Sequence, residues 1–485
     1  MEQIRWQEWN DQTLDRAKSE GKPLFVWIDY RGCRACAQME QESLADPAIA
    51  GRIMETMVPV RIDRDEHPDI DRHFQRLFSV ANGKEGGWPL TLFLSPELIP
   101  LYVAAYLPPV GQGGLNGLPE TIDLVMRNWT ENHDAFVAKG KALLEELALP
   151  ERIEATRIDP EALTVTLRRQ ILEVYDPENG GYGSAPKQLH VSLLKMIPVL
   201  LTYREDAELS ASYRHTLDKL MTSPIWDAVG KGFYCCTEDD AWQQPRLRKS
   251  LAENAIMAIA YFRAAELTGE AAYREQGYRI CDWALTKMNG GSEHLFYAGE
   301  IDGEMDRRIF FAPNALMAAA MMLAATQEDR YRPDALGILH HLMEEMVHGR
   351  HIRHGDVGNT ETGYLVDYAA LGAALLFAFD LTGNDQFINT AGEFASEALR
   401  RFYDRGRWTV GDGAWKDPTV FVDTTLPAPA ATMVMVLHRL SILLDKAYAP
   451  FVEQTLAVAS YELMRRPIAK TAMAEAALRV YGKGE

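Results

Sequence analysis

The stretch Phe25-Val-Trp-Ile-Asp-Tyr-Arg-Gly-Cys-Arg-Ala-Cys36 decides the fold of the first part of this chain. Its apolar half predicts a buried strand, and the residues that follow predict a helix. At a helix N-terminus, unpaired backbone N–H groups and the helix dipole favour thiolate over thiol at the first cysteine of a Cys-x-x-Cys pair. The second cysteine can then resolve a mixed disulfide. We therefore predict that Cys33 and Cys36 are the catalytic residues of a thiol–disulfide exchange reaction.

Two other interpretations of this cysteine pair stay open, namely ordinary core thiols and one half of a zinc site. A zinc site needs about two more Cys or His ligands at short spacing, and the sequence has no second Cys-x-x-Cys. Arg34 falls in the first helical turn, with Arg31 just before it. Both add positive potential, which favours the reduced form and predicts a more oxidising pair. We also predict that Arg34 contacts the substrate.

Length and composition exclude several classes of protein. With 485 residues, the chain predicts about two to four domains, and five cysteines are too few for a disulfide framework, so we expect a cytoplasmic protein. The 69 acidic residues outnumber the 50 basic ones, which disfavours nucleic acid and acidic lipid as partners. No secretory signal and no apolar run of about 18 residues is present, so we predict no membrane span.

The first 148 residues alternate short apolar runs with amphipathic helices, which predicts an α/β domain over residues 1–148. The predicted strands are Leu24–Ile28, Val58–Ile62, Leu90–Leu94 and Leu101–Ala105. Ile70, Phe74 and Leu77 follow helical spacing between the second and third of these strands.

A proline stands directly before the third predicted strand, in the stretch Gly86-Gly-Trp-Pro-Leu-Thr-Leu-Phe-Leu94. Such a proline can be cis and can leave the preceding backbone open to an extended partner. We predict that Trp88 and Pro89 form the substrate-docking edge, with a protein or a small-molecule thiol or disulfide as the partner. A rigid turn before a core strand is the alternative for Trp88.

From about residue 160 onward, long amphipathic helices alternate with polar loops that end in glycine and an aromatic residue, as in Gly181-Tyr-Gly183 and Gly232-Phe-Tyr234. This pattern predicts helical hairpins stacked around a common core over residues 160–485, with a toroid of paired helices as the closed form. Residues 147–159 are the predicted linker.

An ordered series of motifs resembles the thioredoxin-domain proteins of the spermatogenesis-associated-protein-20 type, also labelled DUF255 or YyaL-like. The matching segments include Gly21-Lys-Pro-Leu-Phe25, Val60-Arg-Ile-Asp-Arg64, His67-Pro-Asp-Ile70, Gly86-Gly-Trp-Pro-Leu90, Asp176-Pro-Glu-Asn-Gly-Gly-Tyr-Gly183, Trp242, Asn254 and Val366-Asp-Tyr368. The resemblance implies a thioredoxin-like domain followed by an all-α (α/α)6 toroid like those of glycosidases and sugar epimerases. Trp27 stands roughly where thioredoxins keep a buried carboxylate, and we expect Asp29 to point to the other face of the strand.

This chain departs from the family pattern in three places. The usual Cys-His-Trp-Cys-His motif is here Cys33-Arg-Ala-Cys-Ala37, so its imidazoles are lost. A segment like Pro-His-Phe-Glu-Lys-Met-Leu is Pro245-Arg-Leu-Arg-Lys-Ser-Leu251, which puts Arg246 and Arg248 where a histidine and a carboxylate stand. A Pro-Ser-Gly-Asn type segment is Pro427-Ala-Pro-Ala430.

Two alternatives to a redox function concern the barrel. Carbohydrate chemistry, hydrolytic or epimerising, needs two carboxylates across a cavity and aromatic side chains that stack on sugar rings. We predict Asp176 and Trp242 as substrate-binding residues for a sugar ligand, although loop capping or hairpin packing also accounts for Asp176. A non-catalytic scaffold with a degenerate barrel site is the third possibility.

A histidine-rich segment raises the question of a metal site. His340, His341, His348, His351 and His354 lie within one short stretch, and His341, Glu345 and His348 fall on one helix face if the helix continues that far. A solvated helix end explains such a run equally well. We predict no metal and no cofactor.

Overall fold

A computed structural model describes residues 3–111, 113–114, 116–149, 154–290, 294–358, 360–413, 415, 421–444 and 446–482. The chain divides into two compact units, Met1–Arg152 and Ile153–Glu485. The predicted linker, residues 147–159, includes the last two residues of a helix that ends at Ala148 and stops just before a helix that begins at Pro160. Residues 150–153 of it lie outside the described residues.

The first unit contains a four-stranded sheet in the order β2-β1-β3-β4. Its strands are β1 (Leu24–Asp29), β2 (Val58–Asp63), β3 (Leu90–Leu94) and β4 (Pro100–Ala104). Strand β1 runs parallel to β2 and antiparallel to β3, and β3 runs antiparallel to β4. All four predicted strands are confirmed, with ends that shift by at most one residue.

Six helices accompany this sheet in the described part of the first unit: α1 (Asp11–Glu20), α2 (Arg34–Met39), α3 (Pro47–Thr56), α4 (Pro68–Asn82), α5 (Leu118–Glu131) and α6 (His133–Ala148). Helix α2 continues directly into a π-helical turn, Glu40–Leu44. Buried side chains of α2, α3 and α5 pack on Phe25, Trp27 and Phe93, which alternate along β1 and β3 toward one face of the sheet. The predicted apolar face of α4, with Ile70, Phe74 and Leu77, is buried.

The second unit is a closed ring of helical hairpins. The described residues form twelve α-helices: α7 (Pro160–Glu173), α8 (Val191–Tyr203), α9 (Ala207–Thr222), α10 (Leu251–Thr268), α11 (Ala271–Lys287), α12 (Phe311–Ala325), α13 (Arg332–Glu345), α14 (Leu365–Thr382), α15 (Asp385–Phe402), α16 (Pro429–Leu443), α17 (Ala449–Arg465) and α18 (Thr471–Tyr481). The even-numbered helices contact one another in sequence order, and α18 packs on α8 to close the ring. The predicted (α/α)6 toroid is confirmed.

Hydropathy separates the inner helices from the outer ones. Helix α14 is apolar on nearly every side, whereas α15 is amphipathic and buries only one stripe. By length and composition α14 is also able to cross a membrane, with a mean hydropathy of 1.6. Since 61% of it is buried inside the ring, its composition is that of a core helix.

The loops that lead from outer to inner helices share one construction. Short bridges pair Tyr175 with Tyr182, Trp226 with Phe233, and Asn289 with Phe296. In the second loop, the Asn254 side chain of α10 accepts the Phe233 N–H at 2.7 Å and donates to the Phe233 carbonyl at 3.0 Å. Asn314 of α12 does the same for Phe296, at 2.8 and 3.1 Å. These aromatic-ended loops are therefore repeated parts of the toroid.

Candidate functional site

Cys33 is the N-cap residue of α2. Its Sγ accepts the backbone N–H of Cys36 at 3.1 Å, and a disulfide bond joins the two side chains. Strand β1 ends four residues earlier, so the tight turn Tyr30–Gly32 delivers Cys33 to the start of the helix. Both cysteines are buried in this oxidised form, at 6% and 2% exposure, whereas Arg34 is exposed in the first turn.

Trp88 packs against the apolar cluster that contains both cysteines, and its peptide bond to Pro89 is cis. The Tyr30 ring meets it edge-on, with a centroid distance of 5.7 Å. The Arg64 guanidinium lies 3.8 Å from the Tyr30 centroid and 4.0 Å from the Trp88 centroid. Trp88 therefore packs with Tyr30, which follows β1, and with Arg64, which follows β2.

Sequence reasoning missed Arg64 and Asp71 as parts of this cluster. The Trp88 indole N–H donates to Asp71 Oδ1 at 2.8 Å. Burial raises the pKa of Asp71 to about 6, although the indole hydrogen bond and the Arg64 charge act to lower it. One signal was available for Arg64, because Tyr30 and Arg64 directly follow two parallel strands whose carboxyl ends meet at one edge of the sheet.

A second carboxylate near the cysteines in sequence is Asp29, the last residue of β1. It is 4% exposed and accepts hydrogen bonds from Arg61 at 2.6 and 3.2 Å. The Arg61 guanidinium also lies 4.8 Å from the Trp27 centroid, so Trp27 and Asp29 share a face of β1. The expectation that Asp29 points to the other face is wrong, because residues two positions apart in a strand point to the same side.

In the toroid, Asp176 fastens the first outer-to-inner loop. Its carboxylate accepts the N–H groups of Glu178 and Asn179 at 3.0 Å and the buried Lys187 ammonium at 2.7 Å. Burial acts to raise the pKa of Asp176, but these donors, led by Lys187, hold it well below its usual value. Such contacts are those of a structural carboxylate, and substrate binding by Asp176 stays a prediction.

Trp242 packs against the same loop. It is 1% exposed, its indole N–H donates to the Gly180 carbonyl at 3.3 Å, and the Lys187 ammonium lies 5.0 Å from its ring centroid. An aromatic ring that stacks on a sugar needs an open face. The predicted sugar contact at Trp242 likewise stays a prediction.

The segment that departs from the family pattern forms its own ion pairs. Arg246 pairs with Glu238 at 2.8 Å, and Arg248 lies 3.6 Å from Glu253. Beside them, the buried Lys249 ammonium binds Asp227 at 2.8 Å and Glu300 at 3.3 Å. Both arginines are therefore engaged by carboxylates of neighbouring loops and of α10.

The clustered histidines have different partners, although the His340 and His341 ring centroids are 5.7 Å apart and His348 faces His351 across a short two-stranded ribbon. His340 pairs with Glu344 at 3.2 Å, His341 lies 2.9 Å from the Gly337 carbonyl, and His354 lies 2.9 Å from Asp367. Helix α13 ends at Glu345, so His348 lies beyond it in a short strand and does not extend the helix face. Among the residues that the structure describes, no three His, Cys, Asp or Glu side chains form a group suited to a metal ion.

A cavity of about 550 Å³ lies among the inner helices of the toroid. Most of its wall is aliphatic, and the described residues that line it include no Asp or Glu. Four cationic side chains line it from four different inner helices: Lys195, Arg263, Arg439 and Arg479. Neither Asp176 nor Trp242, the two residues predicted to bind a sugar, lines this cavity.

Fold and site together define a class of protein in which a thioredoxin-like domain with a Cys-x-x-Cys pair precedes an (α/α)6 toroid. Residues 1–148 match the Thioredox_DsbH family model, which is described as "Protein of unknown function, DUF255". The resemblance stated from the sequence is therefore confirmed.

Curated proteins of the resembled type are similar to this chain in sequence. Human spermatogenesis-associated protein 20 is 29% identical over 314 residues, which cover 63% of this chain and 40% of that protein. A Caenorhabditis elegans relative, uncharacterized protein B0495.5, is 26% identical over 269 residues, or 55% of this chain and 37% of its own length. The chain thus spans about two fifths of the length of the curated relatives that it matches.

Solved structures match the toroid. A sugar epimerase from a ruminal bacterium has a TM-score of 0.52 at 12% identity, covering 63% of this chain and 87% of its own. Cellobiose 2-epimerase from Bacillus thermoamylovorans has a TM-score of 0.53 at 11% identity, covering 62% and 85%. The GH76 α-mannanase BT2949 from Bacteroides thetaiotaomicron has a TM-score of 0.52 at 12% identity, covering 67% and 96%. At such identities the likeness establishes the fold alone.

Proposed function

We propose that this protein is a thiol–disulfide oxidoreductase that acts through Cys33 and Cys36. The observation that carries the proposal is the position of Cys33 as the cap of α2, with the Cys36 N–H directed at its Sγ at 3.1 Å. That hydrogen bond and the helix dipole stabilise negative charge on Sγ once the disulfide is reduced.

The exchange reaction balances with these two residues. The Cys33 thiolate attacks one sulfur of a substrate disulfide, forms a mixed disulfide and releases the first substrate thiolate. Cys36, after losing its proton, attacks Cys33 Sγ and releases the second substrate thiol. The substrate gains two electrons, and the Cys33–Cys36 disulfide of this structure is the oxidised product.

Trp88 and Pro89 form the docking edge in this proposal. Trp88 is only half-buried, and it lies against the cluster that contains the cysteines. A protein or small-molecule disulfide is the partner, and Arg34 contacts it from the exposed first turn of α2. A cytoplasmic location belongs to the same proposal, because the other three cysteines are free, buried thiols, as expected in a reducing compartment.

Trapping of the mixed disulfide tests the proposal. We expect the Cys36→Ser variant, reduced and then mixed with oxidised glutathione, to form a stable adduct at Cys33 that mass spectrometry detects. The wild type should turn over in an insulin-reduction assay with dithiothreitol, and Cys33→Ser should not. The matched control is Cys281→Ala, which removes a buried cysteine of the toroid and should leave the rate unchanged. Equal insulin-reduction rates for wild type and Cys33→Ser would exclude the proposal.

Carbohydrate binding by the toroid is the second candidate function, and fold similarity to sugar epimerases and an α-mannanase supports it. A glycosidase requires two carboxylates facing each other across the site. The cavity described above has none among its described lining residues, which disfavours hydrolysis there. A panel of neutral oligosaccharides tests this candidate: product release or saturable binding supports it, and the absence of both removes it.

A further inference from the structure

The central cavity carries an excess of positive charge around one buried carboxylate. Glu475 on α18 is fully buried and accepts hydrogen bonds from Lys195 at 2.6 Å, Arg263 at 2.8 Å and Arg479 at 3.2 Å. These three cations come from three inner helices. Burial acts to raise the pKa of Glu475, but the three cations hold it well below its usual value, so the carboxyl is ionised.

Among the residues that the structure describes, the other charged groups near this cluster do not cancel the excess. Asp423 lies within electrostatic reach of Lys195, and its oxygens accept hydrogen bonds from Thr471 and from the backbone N–H groups of Ala428 and Ala472. If Asp423 is ionised, the cluster still has three cations for two carboxylates within the described part of the chain. Arg439, which also lines the cavity, is paired with Asp380. His438 is the remaining titratable group in the wall and adds no negative charge.

Two of these cations, Lys195 and Arg263, line the cavity and have N–H donors without an acceptor among the described residues. Lys195 is 6% exposed, and among the described residues its ammonium group has one hydrogen-bond acceptor, Glu475, for three N–H donors. The hydrogen bonds of Arg263 to described residues all come from Nη1. Its Nε and Nη2 donors are therefore available to a ligand. A buried cation with spare donors favours an anionic partner, because burial without one costs free energy.

The rest of the wall matches an apolar body. Ile256 and Ile259 of α10, Leu316 of α12 and Leu376 of α14 line the cavity, and Phe377 is the one aromatic residue among its described lining. A volume of about 550 Å³ falls within the usual range for small-molecule sites. Stacking platforms for a neutral sugar ring are thus scarce, whereas aliphatic surface is plentiful.

From this arrangement we infer that the toroid cavity binds an amphipathic anion, an aliphatic chain that carries one carboxylate or one phosphate group. The headgroup contacts Lys195 and Arg263, and the chain lies along the aliphatic wall. This inference does not depend on the redox proposal, because its residues all belong to the second unit.

Calorimetric titration of the full-length protein with three ten-carbon probes and one sugar tests the inference: decanoate, decyl phosphate, decanol and cellobiose. We expect decanoate or decyl phosphate to bind at least tenfold more tightly than decanol, and cellobiose not to bind. The better of the two anions identifies the headgroup as carboxylate or phosphate. Equal affinity for decanol, or no binding of either anion, would overturn the inference.

Two variants locate the bound anion. Arg263→Met replaces the guanidinium by an unbranched apolar side chain, and we expect it to weaken binding of the preferred anion at least tenfold while decanol affinity stays unchanged. Lys195→Met should act in the same direction if it folds. The matched control is Arg168→Gln on outer helix α7, which should not alter anion affinity. Arg168 is paired with Asp206 and Glu208 at the start of α9. Unchanged anion affinity in Arg263→Met would contradict the assignment, and the wild-type probe series decides the matter if neither cavity variant folds.

Discussion

The indole N–H of Trp88 donates a 2.8 Å hydrogen bond to the carboxyl group of Asp71. Tyr30 and Arg64 contact the same indole ring, so the four side chains form one cluster. The proposed docking residue is therefore oriented by a carboxyl group whose pKa burial raises to about 6. The geometry of the docking edge and the charge state of Asp71 are coupled through this bond.

This coupling predicts a pH-dependent stability. The folded-state pKa of Asp71 lies above the unfolded value near 3.8, so its contribution is fully present below about pH 4 and is lost as the pH rises through about 6. Asn does not ionise, so the free energy of unfolding of Asp71→Asn should rise by about 1–3 kcal/mol relative to that of the wild type as the pH goes from 4 to 7.5. Hydrogen exchange of the β1 amides in the full-length protein measures this free energy at each pH. A difference between the two proteins that is constant with pH would contradict the assignment.

Charge reversal beside the reactive cysteine should slow its chemistry. Arg34 is exposed in the first turn of α2, where positive potential favours the Cys33 thiolate. We expect Arg34→Glu to slow iodoacetamide labelling of reduced Cys33 at pH 7 by about two- to fivefold, since solvent screens the exposed charge. Arg127→Glu, the same change on the exposed side of α5, should leave the labelling rate unaltered. Equal rates for Arg34→Glu and wild type would show that this arginine does not influence the thiol.

A glycine in the first toroid loop should tolerate no side chain. Gly181 has φ +88°, and a Cβ there would lie 2.4 Å from Trp242 Cζ2 and 2.9 Å from Lys187 Cε. We expect Gly181→Ala to lower the free energy of unfolding by about 2–4 kcal/mol, from backbone strain together with overpacking.

Gly269 provides the matched control for that experiment. It has φ +74°, with nothing within 4 Å of a built Cβ. Gly269→Ala should therefore cost only the backbone share, about 1–2 kcal/mol. Urea unfolding followed by circular dichroism compares the two variants, and equal losses would mean that the Trp242 contact yields without cost.

The buried lysine of the second loop should be essential to that loop. The Lys249 ammonium is fully buried between Asp227 and Glu300. Although burial acts to raise it, the pKa of Asp227 is lowered to about 2, chiefly by the Lys249 hydrogen bond. We expect Lys249→Met to destabilise the protein by about 2–4 kcal/mol, because it leaves carboxylates without their buried partner.

An exposed ion pair tests the specificity of that effect. Arg169 and Glu173 pair on the surface of α7 with side-chain exposures of 58% and 55%. Arg169→Met should change the unfolding free energy by less than about 0.5 kcal/mol. If Lys249→Met costs no more than this control in thermal unfolding, the buried pair contributes nothing.

The two halves differ in how far their sequences predict the structure. Short apolar runs predicted all four strands, and helical spacing predicted the buried face of α4, because each pattern reflects local burial. Cys33 as a helix cap was also readable, since a strand and a helix flank it. The Asp71–Trp88 contact was not readable, because it joins residues 17 positions apart in separate elements.

In the toroid, Asp176 and Trp242 look like ligand-binding residues of a loop. Their partners, Lys187 and Gly180, become visible only in three dimensions.

The pair Lys195–Glu475 joins residues that are 280 positions apart in the chain, and the two belong to the first and sixth hairpins. Contacts of such separation form late, since the intervening segments must already be compact before the loop entropy is overcome. A partly folded toroid therefore lacks the charge cluster even when most of its hairpins are in place. Binding of the proposed anion during refolding would therefore report when the first and sixth hairpins have come together.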